Sequence, residues 1–203
     1  MSQSPREKSR KKAKIMKELI TELDAIRSLK LFNTSHALRY LSELKLEGEL
    51  WKEVTQALKK IALMPTEDKS FPKIRRIDSI SDILFMVSFA GMIGALVLLL
   101  LNLEPVVSYL VLLLTLIVLN ISYFMKFYVS MRLRNIYLSR SQEIEAYNDL
   151  LRKAIDNLVS RLRGEIKKAG IEAKEVEFKL HNGDYTGLVV VEKKGGVYKL
   201  KFK

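Results

Sequence analysis

The sequence predicts a mostly α-helical membrane protein, in which a two-helix transmembrane hairpin lies between N-terminal cytoplasmic helices and a C-terminal α+β module. Three observations predict this class. The mean hydropathy is only +0.04, yet the charges are segregated, since Glu104 is the one charged side chain between residues 83 and 125. Two long apolar runs follow each other inside that interval. The end of the chain changes to alternating apolar and polar positions, which is typical of strands.

The composition excludes several classes of chemistry. The absence of cysteine rules out disulfides, thiolate metal sites and a cysteine nucleophile. His36 and His181 are the two histidines, too few for a histidine-rich metal site. Neither a phosphate-binding glycine loop nor an H-E-x-x-H motif occurs. We therefore expect a protein that is not an enzyme, with no catalytic residues, no metal and no cofactor.

The N-terminal part divides into three segments. Residues 1–14 are basic and have little apolar surface to bury, which predicts a disordered tail. Residues 15–64 contain three short amphipathic patterns, which predict a cytoplasmic helical region, either a small bundle or a helix-turn-helix. Residues 65–82 are expected to be a linker and juxtamembrane segment.

Residues 83–125 are predicted to form the transmembrane hairpin. The first span is residues 83–101 and the second is residues 106–125, and neither contains a charge. At about 1.5 Å per residue each spans roughly 28–30 Å, which matches the hydrocarbon core of a bilayer. The link at residues 102–105 allows only a tight return. Pro105 suits the first turn of the second helix, and Glu104 suits its positive end.

Basic residues near the spans predict the orientation. They lie before the first span and after the second, whereas the link has none. By the positive-inside rule both termini are cytoplasmic, and the protein is a multi-pass protein of the cell membrane. The juxtamembrane basic residues are Lys73, Arg75, Arg76, Lys126, Arg132 and Arg134.

Small and polar residues inside the spans are candidate packing positions. Close helix approach in lipid favours small residues four apart, which would pack either on the second span or on another copy. Hydroxyl residues recur every seventh position of the second span and could bond the first span or line a pore. The set is Ala90, Gly91, Gly94, Ala95, Ser108, Thr115, Ser122 and, as the most polar member, Asn120.

Residues 126–170 are predicted to form a long cytoplasmic helix or coiled coil. Ser139 and Gln142 have the spacing of a capping box, so a new helix could begin there. Apolar residues then recur every three or four positions from Ile144 to Leu162. This stripe needs a partner, which could be residues 15–32, the strands downstream or a second copy. Gly170 is a predicted helix stop.

Residues 171–203 are predicted to form a three-stranded antiparallel meander. Asn182-Gly183 predicts a tight turn between the first two strands, and Gly195-Gly196 predicts the turn before the third. One face would rest on the preceding helix. The other would be basic, and would be solvated or meet phosphates or an acidic partner, through Lys179, Lys199, Lys201 and Lys203.

Three functions remain open from the sequence. The first is a membrane scaffold or assembly subunit that binds proteins or copies of itself. The second is a membrane tether for nucleic acid or ribosomes, since the net charge is +12. The third is a small oligomeric channel. The lipid bilayer is a partner in all three, and no small-molecule substrate is evident.

Overall fold

The structure is a computed structural model that describes residues 4–101 and 105–203, which divide into two units. The first, the α+β unit, contains the described residues up to Leu63 together with Arg140–Lys203. The second, the hairpin unit, lies within Met64–Ser139. The α+β unit is therefore built from both ends of the chain, and the hairpin unit is inserted between them.

The described residues form helices for most of their length and strands near the end. In chain order the helices are α1 Pro5–Arg27, α2 Ser35–Leu44, α3 Glu49–Leu63, α4 Phe71–Leu100, α5 Pro105–Ser139, α6 Ser141–Glu145 and α7 Asn148–Ala169. The strands are β1 Glu177–Leu180, β2 Leu188–Lys194 and β3 Val197–Phe202. Short 3₁₀ helices occupy Met64–Glu67 and Ala173–Glu175.

Helix α1 begins at Pro5, ten residues before the apolar pattern that starts at Ile15, in the segment where a disordered tail was predicted. Ser4 and Glu7 form a capping box, in which each side chain accepts a hydrogen bond from the other residue's backbone N–H. Pro5 follows at the first helical position, where proline is favoured. The Nε of Arg6 donates to the carbonyl of Ala169 at 2.9 Å. The predicted disorder is therefore wrong from Pro5 onward, whereas residues 1–3 lie outside the described residues.

The apolar stripe of α7 is buried inside the α+β unit. Helix α1 packs along α7, and α3 packs on α7 as well. Of the three partners open from the sequence, the structure selects residues 15–32, because α1 supplies the facing apolar residues. Each fully buried leucine or isoleucine contributes about 1.5–3 kcal/mol relative to exposure. The central ones are Leu19, Ile20, Leu23, Leu151, Ile155 and Leu158.

The predicted long helix over residues 126–170 is broken. Helix α5 ends at Ser139, and the five-residue α6 separates it from α7. The expected capping box is absent, because the N-cap residue of α6 is Arg140 and Ser139 donates back to the carbonyl of Ile136. The helix stop at Gly170 is confirmed, with a left-handed φ of 68° that glycine adopts without strain.

The three strands form an antiparallel sheet in the order β1-β3-β2, so the predicted meander is wrong. Strand β3 lies in the centre and pairs with both others, with Phe178 opposite Leu200 and Val190 opposite the same residue on the other side. Gly195 and Gly196 make the predicted turn between β2 and β3, and both have positive φ. Residues 181–187 instead form a loop that carries the chain from one edge of the sheet to the other.

One face of the sheet is buried in the α+β unit. Phe178 of β1 and Phe202 of β3 meet edge to face with ring centroids 5.4 Å apart, and both are buried with Leu180, Leu188 and Leu200. The alternation predicted from the sequence therefore holds for β1 and β3. Strand β2 is an edge strand, and a register shift between Val190 and Glu192 marks a bulge in it.

The hairpin unit consists of α4 and α5, which pack on each other. Both helices are longer than the predicted spans. Helix α4 has 30 residues and α5 has 35, roughly 45 and 52 Å, so each exceeds a hydrocarbon core of about 30 Å. The predicted linker at 65–82 is largely structured, since α4 begins at Phe71. The predictions for residues 102–104, including Glu104, lie outside the described residues.

Candidate membrane anchor and polar sites

The surface of the hairpin unit is apolar and exposed. The most apolar windows of α4 and α5 have mean hydropathies of 2.7 and 2.2, and 11% of each window is buried. Leu100 is 83% exposed and Phe124 is 74% exposed. The core helix of a soluble protein would hide such side chains. Two helices are thus long and apolar enough to cross a membrane.

A seam of buried residues joins the two helices; it is apolar at Ile74, Val129 and Ile136 and small or polar elsewhere. Apart from Tyr137, the buried positions of each helix recur every seven residues, a period that keeps two packed helices in register. On α4 they are Ile74, Ser81, Ser88 and Ala95, and on α5 they are Ser108, Ser122, Val129 and Ile136, with half-buried Thr115 in the same series.

Ser81 and Ser122 connect the helices by reciprocal hydrogen bonds. The hydroxyl of Ser81 donates to the carbonyl of Ser122 at 2.8 Å, and the hydroxyl of Ser122 donates to the carbonyl of Ser81 at 2.9 Å. The two oxygens are 3.1 Å apart. Each hydroxyl is thereby satisfied where water is excluded. Interhelical bonds of this kind stabilise membrane helices by about 0.6–2 kcal/mol.

The predicted small-residue pairs are divided between two surfaces. Gly91 faces α5, because a Cβ there would lie 2.5 Å from the Cγ2 of Thr115. Ala95 is buried in the same seam. Ala90 and Gly94 are exposed instead, and a Cβ added at Gly94 would meet no atom within 4 Å. The hairpin thus occupies one pair and leaves the other on its outer surface.

The polar residues of the second span do not share an open face. Ser108 and Ser122 are buried. Thr115 donates to the carbonyl of Leu112 at 2.8 Å, within its own helix. Asn120 is exposed, and its Nδ2 donates to the carbonyl of Leu116, also at 2.8 Å. These residues are placed in helix packing and on the outer surface, so they line no common channel within the hairpin.

The juxtamembrane basic residues differ in their environments. Lys126 forms ion pairs with Asp78 at 2.6 Å and Asp82 at 2.7 Å, so its charge is compensated. Arg132 rests over the ring of Tyr128 and donates to its hydroxyl at 3.0 Å. The exposed members of the set are Lys73, Arg75, Arg76, Arg132 and Arg134.

The basic face of the sheet is partly neutralised. Glu177 of β1 pairs with Lys201 at 2.9 Å and with Lys199 at 3.0 Å on the neighbouring strand. The hydrogen bonds from Lys201 and Lys199 hold the pKa of Glu177 below its ordinary value. Lys179 and Lys203 are exposed, and the backbone carbonyl of Lys203 accepts from Arg163. The predicted face therefore carries less net charge than its lysines alone indicate.

A buried polar cluster escaped the sequence analysis. Asp24 lies on the apolar face of α1 and is fully buried. Its carboxylate accepts hydrogen bonds from the backbone N–H groups of His181 and Asn182, from the Asn182 amide and from the Tyr185 hydroxyl at 2.5 Å. Burial and the Asp24 carboxylate raise the pKa of Tyr185. The one available signal was an aspartate among Leu19, Ile20, Leu23 and Ile26.

Arg27 extends this cluster to the surface. It forms two hydrogen bonds with the carboxylate of Asp184, both at 2.7 Å, and lies over the ring of Tyr185. The hydrogen bond from Arg27 holds the pKa of Asp184 below its ordinary value, although partial burial opposes this. The backbone N–H of Thr186 donates to Asp156 of α7. The cluster therefore fastens the loop at residues 181–187 to α1 and α7.

Side chains that could ligate a metal ion do not cluster in the described part of the chain. Within residues 4–101 and 105–203, no group of three His, Cys, Asp or Glu side chains could hold a metal ion. The acceptor atoms of Asp24 are occupied by donors of the chain itself, so this carboxylate serves the fold. The comparisons with known proteins found no matching family model, no matching curated protein and no matching solved structure.

Proposed function

We propose that this chain is an integral membrane protein whose α4–α5 hairpin anchors the α+β unit at the cytoplasmic face of a membrane. The exposed apolar surface of the hairpin carries this proposal. Most of the α4 and α5 windows is exposed, and such a surface requires lipid or protein around it. The internal bonds of Ser81 and Ser122 support it further, because lipid cannot hydrogen-bond these groups.

The orientation follows from exposed charge. Lys73, Arg75 and Arg76 lie in the first turns of α4, and Arg132 and Arg134 lie in the last turns of α5. Both sets are at the same end of the hairpin, because the helices run in opposite directions. Anionic headgroups and the positive-inside rule favour the cytoplasmic side for this end. Both termini are therefore assigned to the cytoplasm.

The function of the assembly is that of a non-enzymatic scaffold or assembly subunit. Two surfaces support it. Ala90 and Gly94 leave a small-residue face on the outside of the hairpin, where another helix can approach closely. On β2, the exposed side chains of Val189, Val190 and Val191 lie at a sheet edge to which a protein strand can add. The proposed partner is a protein or a second copy of this chain.

The two other functions receive less support. Glu177 forms ion pairs with two of the four lysines proposed for nucleic acid or ribosomes. The α7 stripe adds no support to the scaffold, because it is buried inside the α+β unit. A channel would require Ser108, Thr115 and Ser122 to line a lumen. These residues instead lie in the seam between α4 and α5. The scaffold is therefore the function we pursue.

Cysteine crosslinking in native membranes tests the scaffold. The chain contains no cysteine, so each introduced cysteine is unique. Gly94→Cys is placed on the small-residue face, and Leu96→Cys is the matched control, exposed on a different side of α4. We expect oxidation to trap a dimer or a protein partner through residue 94 and much less through residue 96. Equal trapping, or none at either position, would count against this face.

A further inference from the structure

A shallow cavity of about 350 Å³ opens on the α+β unit between α1, the end of α2 and α7. Four cationic side chains line it: Lys12, Lys45, Arg161 and Lys168. Glu165 is the one carboxylate in the lining, and Met16 and Leu44 belong to its apolar wall. The cations come from three separate elements, so the fold, rather than a run of basic sequence, brings them together.

Most of this positive charge is not compensated. Glu165 pairs with Lys168 at 3.0 Å. Burial opposes the ionisation of Glu165, but the hydrogen bond from Lys168 and the charge of Lys12 hold its pKa below the ordinary value. Within the described ranges, no ion pair joins Lys12, Lys45 or Arg161 to a carboxylate, and Arg161 rests over the ring of Trp51. Three cations thus remain available to an anion.

Lys45 occupies this wall at a conformational cost. It is the C-cap residue of α2 and has left-handed backbone angles, with φ of 48° and ψ of 49°. Glycine is the usual residue at such a position, because a Cβ is unfavourable there. A lysine in place of glycine weakens the fold locally and supplies a cation to the cavity.

Gly164 breaks a second local rule on the opposite wall. It lies in the interior of α7, where glycine is less favourable than alanine. Packing does not require it, because an added Cβ would meet nothing within 4 Å. Its missing side chain keeps the cavity open. Departures from local rules concentrate at functional sites, and here two of them line one cavity.

We propose that this cavity binds a phosphate-bearing ligand. Lysine and arginine are the side chains that hold phosphate oxygens, and the uncompensated charge matches a phosphate monoester or diphosphate. A soluble phosphorylated molecule and an anionic lipid headgroup present the same chemistry, and the experiment separates these sources.

The experiment uses the full chain in neutral detergent and inorganic pyrophosphate as the probe, titrated by calorimetry. We expect saturable binding, and we expect Arg161→Ala and Lys45→Gly each to weaken it by about tenfold, as loss of a charged hydrogen bond does. Gly164→Ala should weaken it to a smaller extent, because the added methyl group narrows the cavity. Lys153→Ala, which removes an exposed charge of α7 outside the cavity, should bind as the wild type does.

Measuring the thermal stability of each variant distinguishes loss of the binding site from misfolding. Lys45→Gly and Gly164→Ala should each unfold at the wild-type temperature or about 3 °C above it, since both restore the locally favoured residue. Weaker binding by a protein of equal or greater stability supports the site. Absence of saturable binding to the wild type, or wild-type binding by all three cavity variants, overturns the proposal.

Nanodiscs then identify the source of the phosphate. If nanodiscs with phosphatidic acid weaken pyrophosphate binding at least tenfold relative to phosphatidylcholine nanodiscs, the headgroup occupies the cavity. If the affinity is the same in both, the ligand is soluble. Both results support the site. The detergent titration does not require membrane insertion, so its failure is separate from failure of the anchor.

Discussion

Ser81 of α4 and Ser122 of α5 exchange hydrogen bonds across the hairpin, each hydroxyl donating to the other residue's backbone carbonyl. This pair is a buried polar contact between the two helices, which the partly exposed Lys126 also joins through its ion pairs with Asp78 and Asp82. Because both residues are buried, loss of one hydroxyl removes one hydrogen bond between the helices in a place without water, while the other hydroxyl keeps its own acceptor. Each hydroxyl should therefore make its own contribution to the stability of the hairpin.

The first prediction concerns this pair. Ser81→Ala and Ser122→Ala should each destabilise the hairpin by about 0.5–1.5 kcal/mol. The double variant should lose about the sum, because each hydroxyl donates to a backbone carbonyl that the other variant keeps. Thermal denaturation in mild detergent, followed by far-ultraviolet circular dichroism, measures the losses. Ser79→Ala, at an exposed position of α4, is the control. A loss in either single variant no larger than that of Ser79→Ala would contradict the reciprocal contact.

The second prediction concerns Gly91 and Thr115. Gly91→Ala would bring a Cβ to 2.5 Å from the Cγ2 of Thr115, so either the Thr115 side chain or the helix backbones would have to shift. We expect a loss of about 1–3 kcal/mol, the usual effect of overpacking. Gly94→Ala should be tolerated, because its Cβ meets no atom within 4 Å.

Thr115→Ser provides the rescue for this change, because serine lacks the methyl group that obstructs the new Cβ. The double variant Gly91→Ala with Thr115→Ser should recover most of the stability lost by Gly91→Ala alone. The same denaturation measurement in detergent applies. If the serine variant fails to rescue, then the contact between Gly91 and Thr115 is not what limits helix approach.

The third prediction concerns the buried carboxylate of the α+β unit. Asp24→Asn would direct an amide N–H₂ group at donors of the 181–187 loop, and we expect a loss of about 2–4 kcal/mol. Tyr185→Phe removes one donor and should cost about 1–2 kcal/mol. Urea unfolding followed through Trp51, the one tryptophan of the chain, reports on this unit. Asp149→Asn, at an exposed position, is the control and should change the free energy of unfolding little. If Asp24→Asn changed the free energy of unfolding as little as Asp149→Asn does, the role of the cluster would be contradicted.

The fourth prediction concerns acid. Arg27 holds the pKa of Asp184 below its ordinary value in the folded protein, so the unfolded chain binds this proton more tightly. The stabilisation is therefore complete above the unfolded pKa of about 3.9 and disappears as the pH falls through the folded value. Because Asp184 is 42% exposed, we expect the contribution to be below about 1 kcal/mol.

Comparison with Asp184→Asn isolates that contribution. The difference in unfolding free energy between the wild type and the variant should be present at neutral pH. It should shrink toward zero as the pH falls below the unfolded pKa of about 3.9 and through the lower folded pKa of Asp184. Trp51 fluorescence in urea at each pH gives both values. A difference that stays constant between neutral pH and strong acid would show that the Arg27 contact does not depend on the charge of Asp184.

The membrane-type helices could be predicted because their signal is local. A span exposed to lipid must be apolar over its whole circumference. The sequence alone shows that residues 83–101 and 106–125 meet this condition, without any knowledge of how the helices pack. The period of seven in Ser108, Thr115 and Ser122 also shows that these residues share a face. Which residues of α4 face these positions depends on both helices. The Ser81–Ser122 hydrogen bonds, and the finding that Gly91 faces α5 while Ala90 is exposed, therefore required the structure.

The errors arose where distant residues override local preference. Asn182-Gly183 is typical of a tight turn, yet Asp24, more than 150 positions earlier in the chain, holds this segment as a longer loop and moves β2 to the far edge of the sheet. Residues 5–14 have the composition of a disordered tail, yet Arg6 bonds the end of α7. The phosphate cavity likewise joins Lys12, Lys45 and Arg161, whose proximity no sequence spacing indicates.

Sidedness labelling tests the membrane anchor most directly. In a chain without cysteine, Asn102→Cys and Lys203→Cys each place one thiol, in the predicted outer link and at the last residue. With a membrane-impermeant maleimide on intact cells, the account predicts labelling at residue 102, and labelling at residue 203 only after permeabilisation. Equal labelling of the two positions in intact cells, or a chain that stays dispersed in detergent-free buffer after lysis, would contradict it.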